Sequence, residues 1–257
     1  MRRMKQHNLF VLTTLAVIAI FGCTGSGHNP VSREAAWDRN TRQNEGCGAV
    51  IDLNDQINQN LSSADRTTAV QAKSLLLQYA KESPTCRSEI IAALIKAMDK
   101  PRLNLVTDRR SYILWSNGSA MLGELKAVEA LDLLIEHLDL NDGEFGASLA
   151  HQPAVLGVRL MGNLALSKLI FALQYNSNRN IRLAAVLCLD AIREEEAMNA
   201  MKHALNSESD SCVRRLIQIS IELSEINMNS KSQRSKKAKD RESGLRRQLL
   251  LAFRCDN

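Results

Sequence analysis

The chain has 257 residues, 45% of them hydrophobic but only 4% aromatic, with four prolines and a formal net charge of +5. Leu, Ala and Ile are the main apolar residues, and the β-branched and aromatic runs that an all-β fold needs are missing. Residues 1–22 contribute +3 and residues 231–257 contribute +6, so the stretch 23–230 is left at −4, which gives no support for nucleic-acid binding.

At the N-terminus Arg2, Arg3 and Lys5 precede an apolar run from Leu9 to Phe21, broken only by Thr13 and Thr14. Thirteen such residues are too few to span a bilayer, and the positive start and small Gly22 fit a removed export signal. The sequence Ile20-Phe21-Gly22-Cys23 resembles a bacterial lipobox. That resemblance implies removal of residues 1–22, a diacylglycerol thioether on Cys23 as the new N-terminus, and an extracytoplasmic membrane anchor. Thr24, where aspartate would favour inner-membrane retention, points to the outer membrane if the host has two. An ordinary secretory signal or an uncleaved anchor is the alternative. Residues 23–46 then form a lipidated tether, rich in Gly, Ser, Asn and Arg, with a reach of roughly 25–30 Å.

With Cys23 assigned to lipid, Cys47, Cys86, Cys188, Cys212 and Cys255 remain, and no CxxC metal spacing occurs among them. Export permits disulfides. Cys188 lies in an apolar helical pattern and reads as a buried thiol. Cys47 and Cys86 form the candidate bridge, although connectivity cannot be deduced from spacing.

Residues 47–226 read as a domain of repeating helices. An apolar template at i, i+1, i+4 and i+8 marks one helical face. It fits Ile90, Ile91, Leu94 and Met98, then Ala130, Leu131, Leu134 and Leu138. It fits again at Ala165, Leu166, Leu169 and Leu173, and at Ala197, Met198, Met201 and Leu205, with steps of 40, 35 and 32 residues. The helices ahead of these repeat as well. Residues 181–189 match 213–221 at the same offset of 32, each opening with a β-branched residue followed by Arg. Residues 111–122 fit the same slot at an offset of 67, which sets Gly118 against Ala185 as a small interior position where helices approach closely. Asn117-Gly118 taken alone would read as a turn.

Paired helices of this kind resemble the HEAT-repeat family, in the short variety also seen in phycobilin lyases. The resemblance covers about five units from residue 64 to 226, the last a half-repeat. It implies an all-α solenoid of paired antiparallel helices, with the second helix of each pair lining a concave face. Pro153 is tolerated only in a first turn, so the first helix of the third unit should start late, at about His151 to Pro153. A tetratricopeptide array has a similar period, but its Trp/Gly/Tyr/Ala/Pro positions are not visible.

Catalytic and metal-binding patterns are weak. His28 lies in the tether, and His137 and His203 occupy different slots of their second helices. Glu136-His137 has no second histidine four residues on, and a metal needs three or four converging ligands. Asp139, Asn141, Asp142, Gly143 and Glu144 put glycine at position 5 of a would-be calcium loop, where position 6 is needed. No GxSxG, P-loop or dinucleotide fingerprint occurs. The sequence predicts neither a cofactor nor an enzyme.

Template positions i+2 and i+6 point away from the buried stripe. They hold Ala92 and Lys96, Asp132 and Glu136, Ser167 and Phe171, and Asn199 and His203. The candidate partner-binding surface is Lys96, Asp132, Glu136, Lys168, Phe171, Asn199 and His203, with Phe171 its single aromatic. The alternative is an ordinary solvated face with Phe171 covered by a loop. Residues 227–257 read as a basic, disordered linker and a short helix capped by Ser243, with Leu245, Leu249, Ala252 and Phe253 on one face. That helix either covers the open end of the solenoid or lies on an anionic surface. The expected function is a tethered, non-catalytic scaffold for another envelope protein. The alternatives are a lyase-like enzyme or its regulatory subunit, and a binder of envelope polymers through the basic tail.

Overall fold

A computed structural model describes residues 47, 51–99, 108–140, 152–229, 241 and 243–245. The lipobox, Cys23, the tether, and most of the residues in the would-be calcium loop and the terminal segment lie outside the described residues.

Among the described residues every regular element is helical. They are α1 (Leu53–Asp55), continuing into a π-turn at Gln56–Leu61, α2 (Arg66–Glu82), α3 (Pro84–Met98), α4 (Arg109–Glu124) and α5 (Leu131–Glu136). After these come α6 (Pro153–Met161), α7 (Leu166–Tyr175), α8 (Arg179–Ile192), α9 (Glu195–Ser207) and α10 (Ser211–Asn229). Short 3-10 turns at Val128–Ala130 and Gly162–Ala165 lead into α5 and α7.

The helix starts follow from the sequence. Asp65, Ser83, Asp108 and Asn178 sit at N-caps, and each side chain accepts a hydrogen bond from a backbone N–H of the first turn. Asp210 does the same for Cys212 and Val213. α6 has no such side-chain cap. It opens instead at Pro153, whose missing N–H costs nothing there. α6 and α7 together form a 23-residue apolar segment that satisfies the length and composition of a membrane span. The chain breaks it at Gly162, which takes φ +63°, and Val155, Val158, Leu169 and Leu173 are buried in the core.

α2, α4, α6, α8 and α10 pack in succession, and α5, α7 and α9 pack alongside them in the same order. From α2 onward, each helix finds its main partners one or two helices away along the chain. Fifteen of the sixteen template residues are buried, and the sixteenth, Leu205, is half-buried against the same core. Burying a Leu or Ile side chain contributes about 1.5–3 kcal/mol, so this stripe is a substantial part of what stabilises the fold.

Three boundaries differ from the sequence reading. Helical structure is present from Leu53 to Leu61, ahead of the first repeat, where Ile57 and Leu61 are buried. α5 ends at Glu136 and leaves His137 as its C-cap rather than within the helix. α10 runs to Asn229, past the expected limit at 226. Gly118 lies inside α4 and is buried, so Asn117-Gly118 is not a turn.

Candidate partner-binding face

The seven candidate surface residues all lie exposed, on α3, α5, α7 and α9. Lys96 is on α3, Asp132 and Glu136 on α5, Lys168 and Phe171 on α7, and Asn199 and His203 on α9. Six of the seven hold positions i+2 or i+6 of the apolar template and so point away from the buried stripe, while Lys168 stands at i+3 of its unit. α7 packs between α5 and α9, which joins three of the four helices into one face. Lys96 stands apart, since the main helical partners of α3 are α2 and α4.

Lys168 Nζ lies 2.6 Å from Asp132 Oδ1 and links α7 to α5 across this face. Both side chains are well exposed, so the pair contributes at most about 1 kcal/mol. Phe171 is 63% exposed, and Tyr175, one turn further along α7, is 69% exposed. Their ring centroids are 5.0 Å apart at 45°, a tilted aromatic pair. Phe171 is thus not covered by any described residue. Tyr175 was not among the candidates. Its spacing of four from Phe171 on one helix was the signal that could have found it.

His137 belongs to a different environment. Its ring stacks on the buried Trp115 at a centroid distance of 4.5 Å, and its Nδ1 lies 3.0 Å from Leu133 O. Asp139 Oδ2 accepts a hydrogen bond from Asn178 Nδ2 at 2.7 Å, which engages it in the turn ahead of α8. Among the described residues no three His, Cys, Asp or Glu side chains come together as a metal site. Cys47 is paired with Cys86, with Cα atoms 4.7 Å apart and both residues buried. The Cys47 N–H also donates to Glu89 Oε2 at 2.6 Å.

The two turns ahead of α8 and α10 share one hydrogen-bond pattern. The Asn178 N–H donates to Asn176 Oδ1 at 2.8 Å, and thirty-two residues on the Asp210 N–H donates to Glu208 Oε1 at 2.9 Å. Arg182 Nη1 donates to Asn176 O at 3.0 Å, and Arg214 Nη2 donates to Glu208 O at 2.6 Å. The arginine that opens each first helix therefore holds the preceding turn. This role is structural.

No family model matches the chain, and no curated protein or solved structure matches it.

Proposed function

We propose that this chain is a lipid-anchored, extracytoplasmic scaffold that binds another protein of the cell envelope through its second-helix face. The observation that carries the reading is the exposed Phe171–Tyr175 pair on α7, the helix whose Lys168 pairs with Asp132 of α5. Exposed aromatics amid polar groups are the usual anchors of interfaces. A HEAT-like solenoid of about five helical pairs is the architecture proposed for it. The recurrence of the Arg-held turn at a step of 32 and the packing of each helix on its near neighbours support that architecture. The inference from fold to binding is one of class, and the partner is defined only as a protein.

Capture from crosslinked envelopes tests the interface. Wild-type protein should recover a partner in a reproducible ratio, and Phe171→Ala combined with Tyr175→Ala should lose it at unchanged melting temperature. Equal recovery by the two would refute the face, and stoichiometric recovery of a small molecule would favour the lyase-like reading. Fatty-acid labelling tests the anchor, because Cys23→Ala should abolish incorporation.

Attachment to envelope polymers through the basic tail is the weaker reading. Leu245 packs with Ile219 and Leu223, and Arg241 Nη2 lies 3.2 Å from Glu222 Oε2, so part of the tail is engaged by the body. Arg241 and Ser243 are both helical, so Ser243 is not the cap of that segment.

A further inference from the structure

α5, α7 and α9 run parallel and end together. At their starts Lys168 of α7 pairs with Asp132 of α5, and Asn163 Nδ2, ahead of α7, donates to Glu194 Oε1, ahead of α9, at 3.0 Å. Beyond their ends Asn178 donates to Asp139, while Tyr175 and Ser207, the last residues of α7 and α9, line one cavity of about 230 Å³. Glu136 stands four residues past Asp132 and Phe171 three past Lys168, so this register sets the exposed Glu136 level with the exposed Phe171 on the next helix. Helices packed in this way lie about 8–10 Å apart, a spacing that one guanidinium placed between ring and carboxylate can bridge.

The charge of this face is one-sided. Asp132 is met by Lys168, and the other lysine of these helices, Lys202, is turned to Glu225 of α10 at 3.6 Å. Glu136 forms no ion pair with a described residue. The cavity past Tyr175 is lined by Gln174, Ser207, Ser209 and the Arg182–Glu208 pair, whose charges cancel. The carboxyl ends of α7 and α9 meet there and add a partial negative charge. Two exposed rings, one unmatched carboxylate and a polar recess biased toward hydrogen-bond donors therefore lie together.

We propose, resting on the protein-binding reading above, that the partner presents an arginine to this face. Its guanidinium lies over the Phe171–Tyr175 rings with its charge met by Glu136, and neighbouring donors of the same segment enter the recess beside Tyr175. Arginine fits better than lysine, because a planar guanidinium stacks on an exposed ring while its edge donates to a carboxylate. An acidic or wholly apolar segment would meet Glu136 and the two helix ends with nothing to offset them.

Fluorescent tetra-arginine, tetra-lysine and tetra-glutamate peptides, titrated against the mature, full-length protein, test this chemistry. Tetra-arginine should bind several-fold tighter than tetra-lysine, and tetra-glutamate should not bind. Glu136→Gln should weaken tetra-arginine binding about threefold, and Phe171→Ala with Tyr175→Ala about tenfold, both at unchanged melting temperature. Raising salt to about 0.3 M should erase most of the difference between wild type and Glu136→Gln. Tetra-arginine bound equally by wild type and the aromatic double variant, or no better than tetra-glutamate, would overturn the proposal. Envelope capture separates that result from the broader reading. A protein recovered through Phe171 and Tyr175, with no binding of tetra-arginine, would keep the broader reading and sink this one. Tetra-arginine bound through the pair with no protein recovered would remove the broader reading and leave the cation preference of the face standing. A crosslink from this face to residues 231–247 of the same chain, or to a second copy, would name a different occupant and overturn the proposal.

Discussion

Arg182 shows how one side chain can join two successive turns. Its Nε and Nη2 donate to the two carboxylate oxygens of Glu208 at 2.9 and 3.1 Å, while Nη1 donates to the carbonyls of Asn176 and Ser177. Both side chains of the pair are largely withdrawn from solvent. Removing the guanidinium leaves the Glu208 carboxylate without its ionic partner, so Arg182→Ala should cost roughly 3 kcal/mol in a urea titration. Lysine cannot reproduce the fork, and Arg182→Lys should recover little of that loss. Arg214→Ala removes hydrogen bonds to a carbonyl at the surface and should cost about 1 kcal/mol. Cys188 illustrates burial alone. Desolvation pushes its thiol up to about 12 from 9.0, against a smaller opposing influence of Arg159. The native protein should therefore resist iodoacetamide at pH 8 and react at this position once unfolded. The unfolded thiol ionises near pH 9 while the folded one stays protonated, so this residue's contribution to stability falls as pH rises above 9. Reaction of native Cys188 as fast as the unfolded thiol would contradict its burial.

At the scale of the helix, the tightest crossing is between α4 and α6. A Cβ added to Gly157 would lie 2.5 Å from Ser119 O, and one added to Gly123 would meet Gly157 O. These are backbone atoms with no rotamer to relieve the contact. Gly157→Ala and Gly123→Ala should each destabilise by about 2–3 kcal/mol or more, because the helices must separate. Gly118 is a contrasting case. Its added Cβ would lie 2.5 Å from Met98 Sδ, the flexible end of a buried side chain. The gain of about 1 kcal/mol in helix propensity offsets part of that repacking, so Gly118→Ala should be much the mildest of the three. Thermal unfolding of the three variants checks the order, and an equal loss in all would mean that α4 and α6 are not in backbone contact. Gly118 was legible in the sequence because repeat alignment set it opposite Ala185. Gly123 and Gly157 were not, since neither falls in a matched segment and each matters only through the other. The capping aspartates and Pro153 act on local backbone, which is why the helix starts could be read directly. Phe171 was legible as an outward position of a periodic face, whereas its pairing with Tyr175 depends on two rotamers that periodicity does not specify.

For the whole molecule, the consequence of near-neighbour packing is that damage should stay local. In a quasi-linear stack, stability is the sum of pair stabilities and contacts between adjacent pairs, so a change at one end reaches the other only weakly. The first end offers a clean perturbation. Cys47 is bonded to Cys86 in α3, and Cys47, Ile57 and Leu61 are buried in the same core as Ile90 and Leu94. Replacing both cysteines by serine frees the entry to α1 and removes a constraint across a sequence separation of 39. That constraint is worth roughly 3–4 kcal/mol in the chain-entropy account. Amide hydrogen exchange should then quicken in α1, the π-turn, α2 and α3, and stay near wild-type rates in α8 and α9, which have no main contact with that end. The central helices α4 and α6 should fall between, because α4 packs on α2, α3 and the π-turn and passes the change to α6. A uniform acceleration across α1 to α10 would mean that the protein unfolds as one cooperative globule, and the solenoid architecture proposed above would then be wrong.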